Sequence, residues 1–205
     1  MGGRRAVAGI EVVCGPMFSG KTAELQRRLR RARDDGRTVQ ACKPLLDDRF
    51  AAREIVSHDG GRLRAAPVTA AAEIVPLAEG VDVVGIDEVQ FLDPEIVPVA
   101  EDLARGGTRV ILAGLDRDFR GLPFGPLPAL LAVADAVDTL HGVCRRCGGP
   151  ATMTQRIVDG RPAPFEAPTV LVGGRERYEP RCRACHEPGR PTAGQPTVEL
   201  SRSRR

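Results

Sequence analysis

Gly15-Pro16-Met17-Phe18-Ser19-Gly20-Lys21-Thr22 fits the pattern G-x-x-x-x-G-K-[ST], a glycine-rich turn that must follow a strand and open a helix. Both flanks comply. Ile10 to Cys14 is an apolar, β-branched run, and Thr22 to Arg33 carries Leu25, Leu29 and Ala32 at helical spacing with arginines between them, closed by Gly36. The glycines let backbone N–H groups face phosphates, and the helix adds the positive end of its dipole. In such a loop Lys21 reaches the β and γ phosphates of ATP, and the Thr22 hydroxyl ligates Mg²⁺.

Outward from this loop the same alternation continues. Thr38 to Lys43, Val81 to Ile86 and Arg109 to Leu115 read as strands, Pro94 to Arg105 as a helix, and Ala136 to Val143 as a last strand. Short buried strands alternating with helices predict an α/β fold, a P-loop NTPase parallel sheet flanked by helices, over residues 1–141. A P-loop needs a metal-holding acid at the end of another strand, and Val83-Val-Gly-Ile-Asp-Glu88 offers Asp87 and Glu88 there. Asp87 then belongs to the Mg²⁺ shell and Glu88 is free to act as a base. If that base faces water the protein is an ATPase; if it faces a substrate hydroxyl, a kinase.

Composition narrows the classes. The 205 residues are 42% hydrophobic and 28% charged, as expected of a globular chain, and aromatics are few: no Trp, one Tyr and six Phe. Of thirty cationic residues only Lys21 and Lys43 are lysines, and Lys43 has no place in the reading so far. No apolar run approaches the roughly 18 residues that would suggest a membrane span. Met1-Gly-Gly-Arg-Arg5 lacks the apolar segment of a signal peptide, and Ala6 argues against myristoylation, so a cytoplasmic protein with no membrane partner is expected.

In a reducing compartment, closely spaced cysteines point to metal rather than disulfides. Cys144-x-x-Cys147 and Cys182-x-x-Cys185, separated by thirty-four residues, form such a pair of turns. Four thiolates complete a closed, structural Zn²⁺ site. Helical periodicity also stops after His141, so residues 142–187 read as a small zinc-binding unit and residues 188–205, rich in Pro and Arg, as a disordered tail. His141 and His186 are surplus to the four ligands, while Cys14 and Cys42 read as small buried residues on strands. Arg145, Arg146, Arg181 and Arg183 around the cysteines would suit a zinc ribbon that grips nucleic acid, which keeps a nucleic-acid-dependent ATPase as the alternative. A net charge of only +3 and the lack of an aromatic stacking set argue against a nucleic-acid partner.

Several motifs together resemble one family. Gly15 to Thr22, Asp87-Glu-Val-Gln-Phe91, Leu115-Asp-Arg-Asp-Phe119 with Pro123-Phe-Gly125, the two CxxC pairs and Val172-Gly-Gly-x-x-x-Tyr178 are similar to the cellular thymidine kinases, whose lasso is pinned by zinc. The resemblance runs from about Ile10 to Cys185. It implies transfer of the ATP γ-phosphoryl group to the 5′-hydroxyl of thymidine, giving dTMP for DNA precursor synthesis, and a homotetramer. Glu88 matches the catalytic base. Residues Gly15 to Thr22 with Asp87, Glu88, Val89 and Gln90 match the ATP site, and Asp47 and Arg49 match a segment near the phosphates. Met17, Phe91, Leu115, Phe119, Thr154, Val170, Leu171, Val172, Gly173, Gly174 and Tyr178 match the nucleoside site, with backbone groups of 170–174 reading the base. Leu92 and Phe50 depart from the family pattern, which has aromatic and Tyr residues there.

Overall fold

β1 (Gly9–Cys14) runs into the glycine turn and α1 (Lys21–Asp34), and the chain returns through β2 (Val39–Pro44). The computed structural model describes residues 8–45, 54–56, 60–170 and 177–189. A short hairpin, β3 (Glu54–Val56) and β4 (Arg62–Arg64), precedes β5 (Ala66–Val68), α2 (Ile74–Leu77), β6 (Val83–Ile86), α3 (Ile96–Arg105), β7 (Arg109–Gly114), α4 (Leu127–Val133) and β8 (Ala136–Thr139). Among the described residues that follow, the chain forms β9 (Gly142–Val143), β10 (Pro150–Ala151), β11 (Met153–Val158), β12 (Arg161–Pro162) and β13 (Tyr178–Arg181).

Six strands form one sheet in the order β5-β2-β6-β7-β1-β8, every pair parallel. Side chains alternate between its faces, so each apolar strand feeds two cores. Val12, Val84, Ile86, Val110 and Leu112 pack with Ile96 and Ala100 of α3 and Leu127 and Leu130 of α4. Val13, Val83, Ile111 and Ala113 pack on the other face with Leu25, Leu29 and Ala32 of α1 and with Ile55 and Leu63 of the hairpin. The expected P-loop α/β architecture is therefore present, with helices on both faces. α1 lies close to the sheet because Gly85 has no side chain; a Cβ there would stand 2.5 Å from Leu29 Cδ1.

Strand order places the site. β7 lies between β1 and β6, so the turn after β1, Leu115 after β7 and Asp87 after β6 share the carboxyl edge of the sheet, where such sheets bind ligands. One expectation shifts. The run Ala136 to Val143 is not one strand: Leu140 N–H still donates to Cys14 O at 2.8 Å, but β8 ends at Thr139 and Gly142–Val143 pairs with β10 instead. Gly189 lies so near Phe165 that a Cβ on it would be 2.4 Å from the Phe165 nitrogen. Residues 190–205 lie outside the described residues. Among the described residues, no helix is long and apolar enough to cross a membrane.

Candidate functional site

Gly15 opens the turn at φ 139°, where a Cβ would stand 2.2 Å from Leu140 O, so only glycine fits. Gly20 precedes α1 at φ 90°. Lys21 is buried and its Nζ donates to Pro16 O at 2.7 Å, folding the ammonium back over the loop. Burial pulls its pKa down, against the pull of Glu88, Asp87 and Asp116. The Ser19 hydroxyl is buried and has no hydrogen-bond partner among the described residues. A buried polar atom of this kind needs a ligand or water to satisfy it.

Across the edge, the Thr22 hydroxyl donates to Asp87 Oδ1 at 3.4 Å, and the Glu88 N–H donates to the same oxygen at 3.0 Å. Burial, then the neighbouring Glu88, push the Asp87 carboxyl up to about 7, while Thr22, the Glu88 N–H and Lys21 oppose the rise. A hydroxyl beside a carboxylate is an oxygen-donor pair suited to a hard divalent cation, and a cation here would relieve that cost. Glu88 itself is half-buried and left-handed, φ 52° and ψ 37°. Gln90 Nε2 donates to Glu88 Oε2, and Gln90 Oε1 accepts from Leu115 N–H at 3.0 Å. Val89 and Gln90 are both buried in the turn that follows.

Lys43 finds its place here. It extends from β2 with Nζ donating to Glu54 O at 2.8 Å. Burial lowers its pKa while Asp87, Glu88 and Glu54 support its charge, so both lysines of the chain face the same carboxylates.

The expected nucleoside residues assemble in part. Met17 N–H donates to the buried Thr154 hydroxyl at 2.9 Å, joining the glycine turn to β11. Phe119 and Tyr178, both buried, lie close to Arg156, whose guanidinium carbon is 4.1 Å from the Phe119 ring centre and 5.1 Å from that of Tyr178. Phe91 meets Phe124 edge-to-face at 5.4 Å. Leu115 is buried and Val170 exposed. Leu171, Val172, Gly173 and Gly174, together with Asp47, Arg49 and Phe50, lie outside the described residues.

Arg156 is the residue that sequence reasoning missed. It is 2% exposed, and its two Nη atoms donate to the carbonyls of Pro168 and Thr169. These carbonyls immediately precede the 170–174 segment. A single arginine on a strand of mixed polarity gives no local signal of burial. Arg120 was passed over in the same way: it pairs with the buried Asp118 at 2.6 Å and donates to Thr169 Oγ1 at 3.2 Å. His186 is tied to the loop after β7 by a 2.9 Å contact of its Nε2 with Phe119 O.

The four cysteines of the two CxxC turns come together with all Sγ atoms within 4.8 Å of one another. Cys147 and Cys182 are 3.7 Å apart; tetrahedral thiolates about 2.3 Å from an ion would be about 3.8 Å apart. The cluster can therefore hold a structural metal ion. Each turn is closed by its backbone, Gly148 N–H to Cys144 O at 2.9 Å and Cys185 N–H to Cys182 O at 3.1 Å. Cys14 and Cys42 are buried on their strands, as expected.

Three solved structures overlap part of the chain. The flagellar accessory protein FlaH from Methanocaldococcus jannaschii is 12% identical over 70% of this chain and 75% of that one, with a TM-score of 0.49. The replication initiator DnaA bound to AMPPCP and single-stranded DNA is 19% identical over 67% and 41%, at 0.41. The Legionella pneumophila ATPase DotB is 16% identical over 62% and 35%, at 0.39. A sequence model of the family described as thymidine kinase matches residues 8–186, nearly the whole of the chain that carries these features. The chain therefore belongs to the thymidine kinase family, whose members are nucleoside kinases.

Proposed function

We propose that this protein is an ATP-dependent thymidine kinase that transfers the γ-phosphoryl group of ATP to the 5′-hydroxyl of thymidine, giving dTMP for nucleotide salvage. The observation that carries this reading is the placement of Glu88. Its carboxylate stands on the same sheet edge as the phosphate loop and is joined through Gln90 to Leu115, a residue expected in the nucleoside pocket. A base between a phosphate cradle and an acceptor pocket suits a hydroxyl acceptor better than bulk water.

In this reading the backbone N–H groups of residues 15–22 and the Lys21 ammonium hold the β and γ phosphates. Thr22 and Asp87 would hold Mg²⁺, which when bound offsets charge on the phosphate oxygens. Glu88 accepts the hydroxyl proton and aims the hydroxyl. Because the transferring group is loosely bonded in the transition state, aiming contributes as much as deprotonation. Met17, Phe91, Leu115, Phe119, Thr154 and Tyr178 line the nucleoside site, and backbone groups of 170–174 read the base.

The four cysteines would take Zn²⁺, the usual ion of a closed four-thiolate site, pinning a lasso unit of residues 142–187. A homotetramer is carried over from the family resemblance alone, and a cytoplasmic location from the sequence expectation.

ATP consumption and product formation, measured with each nucleoside separately and with DNA or RNA, test the reading. Thymidine should be phosphorylated, with little ATP hydrolysis in its absence. No phosphorylated thymidine, or hydrolysis stimulated by nucleic acid, would overturn it in favour of an ATPase.

A further inference from the structure

Gln90 is almost fully enclosed, 3% exposed, yet each end of its amide has a partner. At one end Oε1 accepts the Leu115 N–H at 3.0 Å; at the other Nε2 donates to Glu88 Oε2. A backbone N–H can only donate, so the oxygen must face Leu115 and the NH₂ must face Glu88. The amide thus has one orientation.

The surrounding backbone is shaped around this side chain. A Cβ on Gly114 would stand 2.6 Å from Gln90 Oε1 and 2.9 Å from Val89 Cγ1. A Cβ on Gly125 would stand 2.2 Å from Gln90 O. Two loops therefore leave room for one residue. Glu88, meanwhile, sits at φ 52°, a conformation that residues with side chains rarely adopt and that persists only where neighbours hold it. Its own N–H is held by Asp87 Oδ1 and its carboxylate by the Gln90 amide.

We infer that Gln90 is a positioning residue for the transfer: it transmits the fixed position of the β7 end to the Glu88 carboxylate and occupies Oε2, leaving Oε1 to meet the acceptor hydroxyl. The inference rests on the proposed role of Glu88 as base. Glutamine suits the position because it is an adaptor between a donor and an acceptor. A methionine of similar length could serve neither, and a glutamate would accept from Leu115 but oppose Glu88 with a second carboxylate.

A double-mutant cycle on the full-length kinase with thymidine and Mg·ATP tests this. Misplacing a reacting group by about an ångström costs on the order of 100-fold in rate, so Gln90→Met should lower kcat by about 10- to 100-fold. KM for thymidine should stay within about threefold, since no contact to the base is removed. In single-turnover assays, adding Gln90→Met to Glu88→Gln should lower the rate no further, because Gln90 acts through the carboxylate already lost. A Gln90→Met enzyme at wild-type kcat, a rise in KM in place of the fall in kcat, or an equal further loss in the Glu88→Gln background would overturn the inference. Wild-type kcat in Glu88→Gln alone would instead overturn the base assignment. Should Gln90→Met fail to fold, Gln90→Glu, which keeps the acceptor for Leu115, carries the same cycle with the same outcomes.

Discussion

Replacing Arg156 by methionine separates what the buried guanidinium does for folding from what it does for thymidine. The guanidinium is enclosed, its Nη atoms holding the Pro168 and Thr169 carbonyls and its carbon lying over the Phe119 and Tyr178 rings. Two hydrogen bonds from a charged donor are worth about 3–6 kcal/mol together. The burial of one charge costs several kcal/mol and offsets most of this in folding. Methionine fills much of the volume and carries no charge, so global stability should fall by no more than about 2 kcal/mol. Thymidine binding has a different balance. The guanidinium is buried before nucleoside arrives, so its desolvation cancels, and what remains is the order it imposes on 168 and 169 next to the segment proposed to read the base. Re-ordering two residues costs about 2–4 kcal/mol of backbone entropy, or roughly a 30- to several-hundred-fold weaker thymidine Kd. ATP affinity should not change, since no atom of the phosphate loop is touched. Calorimetric Kd values for thymidine and Mg·ATP, with a thermal melt, measure all three. Thymidine affinity within about threefold of wild type in a folded Arg156→Met protein would refute the reasoning.

Three further outcomes are expected. Cys182→Ser should remove the bound metal, about one ion per chain by atomic absorption for a four-thiolate site, and should weaken thymidine binding more than ATP binding; unchanged thymidine affinity in the metal-free protein would contradict this. Gly114→Ala, whose methyl would meet Gln90 Oε1 at 2.6 Å and Val89 Cγ1 at 2.9 Å, should destabilise by about 1–3 kcal/mol and lower kcat together with stability, checked by denaturant melts and turnover. Burial raises the Glu11 pKa, but Arg109 and Arg28, at 2.6 and 2.7 Å, outweigh it and hold the carboxyl below its ordinary value. A depressed folded-state pKa contributes stability above the unfolded value near 4.5 and loses it as pH falls through the lower folded value. Glu11→Gln should therefore narrow its stability deficit relative to wild type on acidification below that range, as read by urea melts from pH 6 downward.

The sheet was legible where several apolar residues follow one another. β1, β6 and β7 are such runs, β2 is bounded by Gly36 and Pro44, and α1 and α3 carry regular apolar spacing, so each is legible within a residue or two. α2 and α4 did not, because Ile-Val-Pro-Leu and Leu-Pro-Ala-Leu-Leu-Ala-Val are short and contain proline, and tertiary packing of Ile74, Leu127 and Leu130 decides them. The run 136–143 misled because Leu140 keeps one bond to Cys14 while the chain is already leaving the sheet. Local chemistry made the phosphate loop, Asp87-Glu88 and the cysteine turns readable, since each is a spacing along the chain. Arg156 is the opposite case. Its burial depends on Phe119, Pro168, Thr169 and Tyr178, partners from three separate segments, and nothing beside it in the sequence announces them.

The scarcity of lysine has a physical reading once both are located. Lys21 and Lys43 sit fully and half buried, with the carbonyls Pro16 O and Glu54 O at 2.7 and 2.8 Å from their ammonium groups. A guanidinium carries five N–H donors in a rigid plane and asks for acceptors in fixed directions. An ammonium is compact, can turn from a carbonyl to a phosphate, and gives up its charge more readily when buried, the direction in which burial pulls both lysines. Because β2 pairs with β6, and Asp87 N–H donates to Cys42 O at 3.0 Å, Lys43 is delivered beside Asp87 by the sheet itself, as Lys21 is by the loop after β1. Two carboxylates thus lie within electrostatic reach of two ammonium groups at the place where nucleotide is expected. Among the described residues, where other cations cover surface or bridge several acceptors, arginine serves.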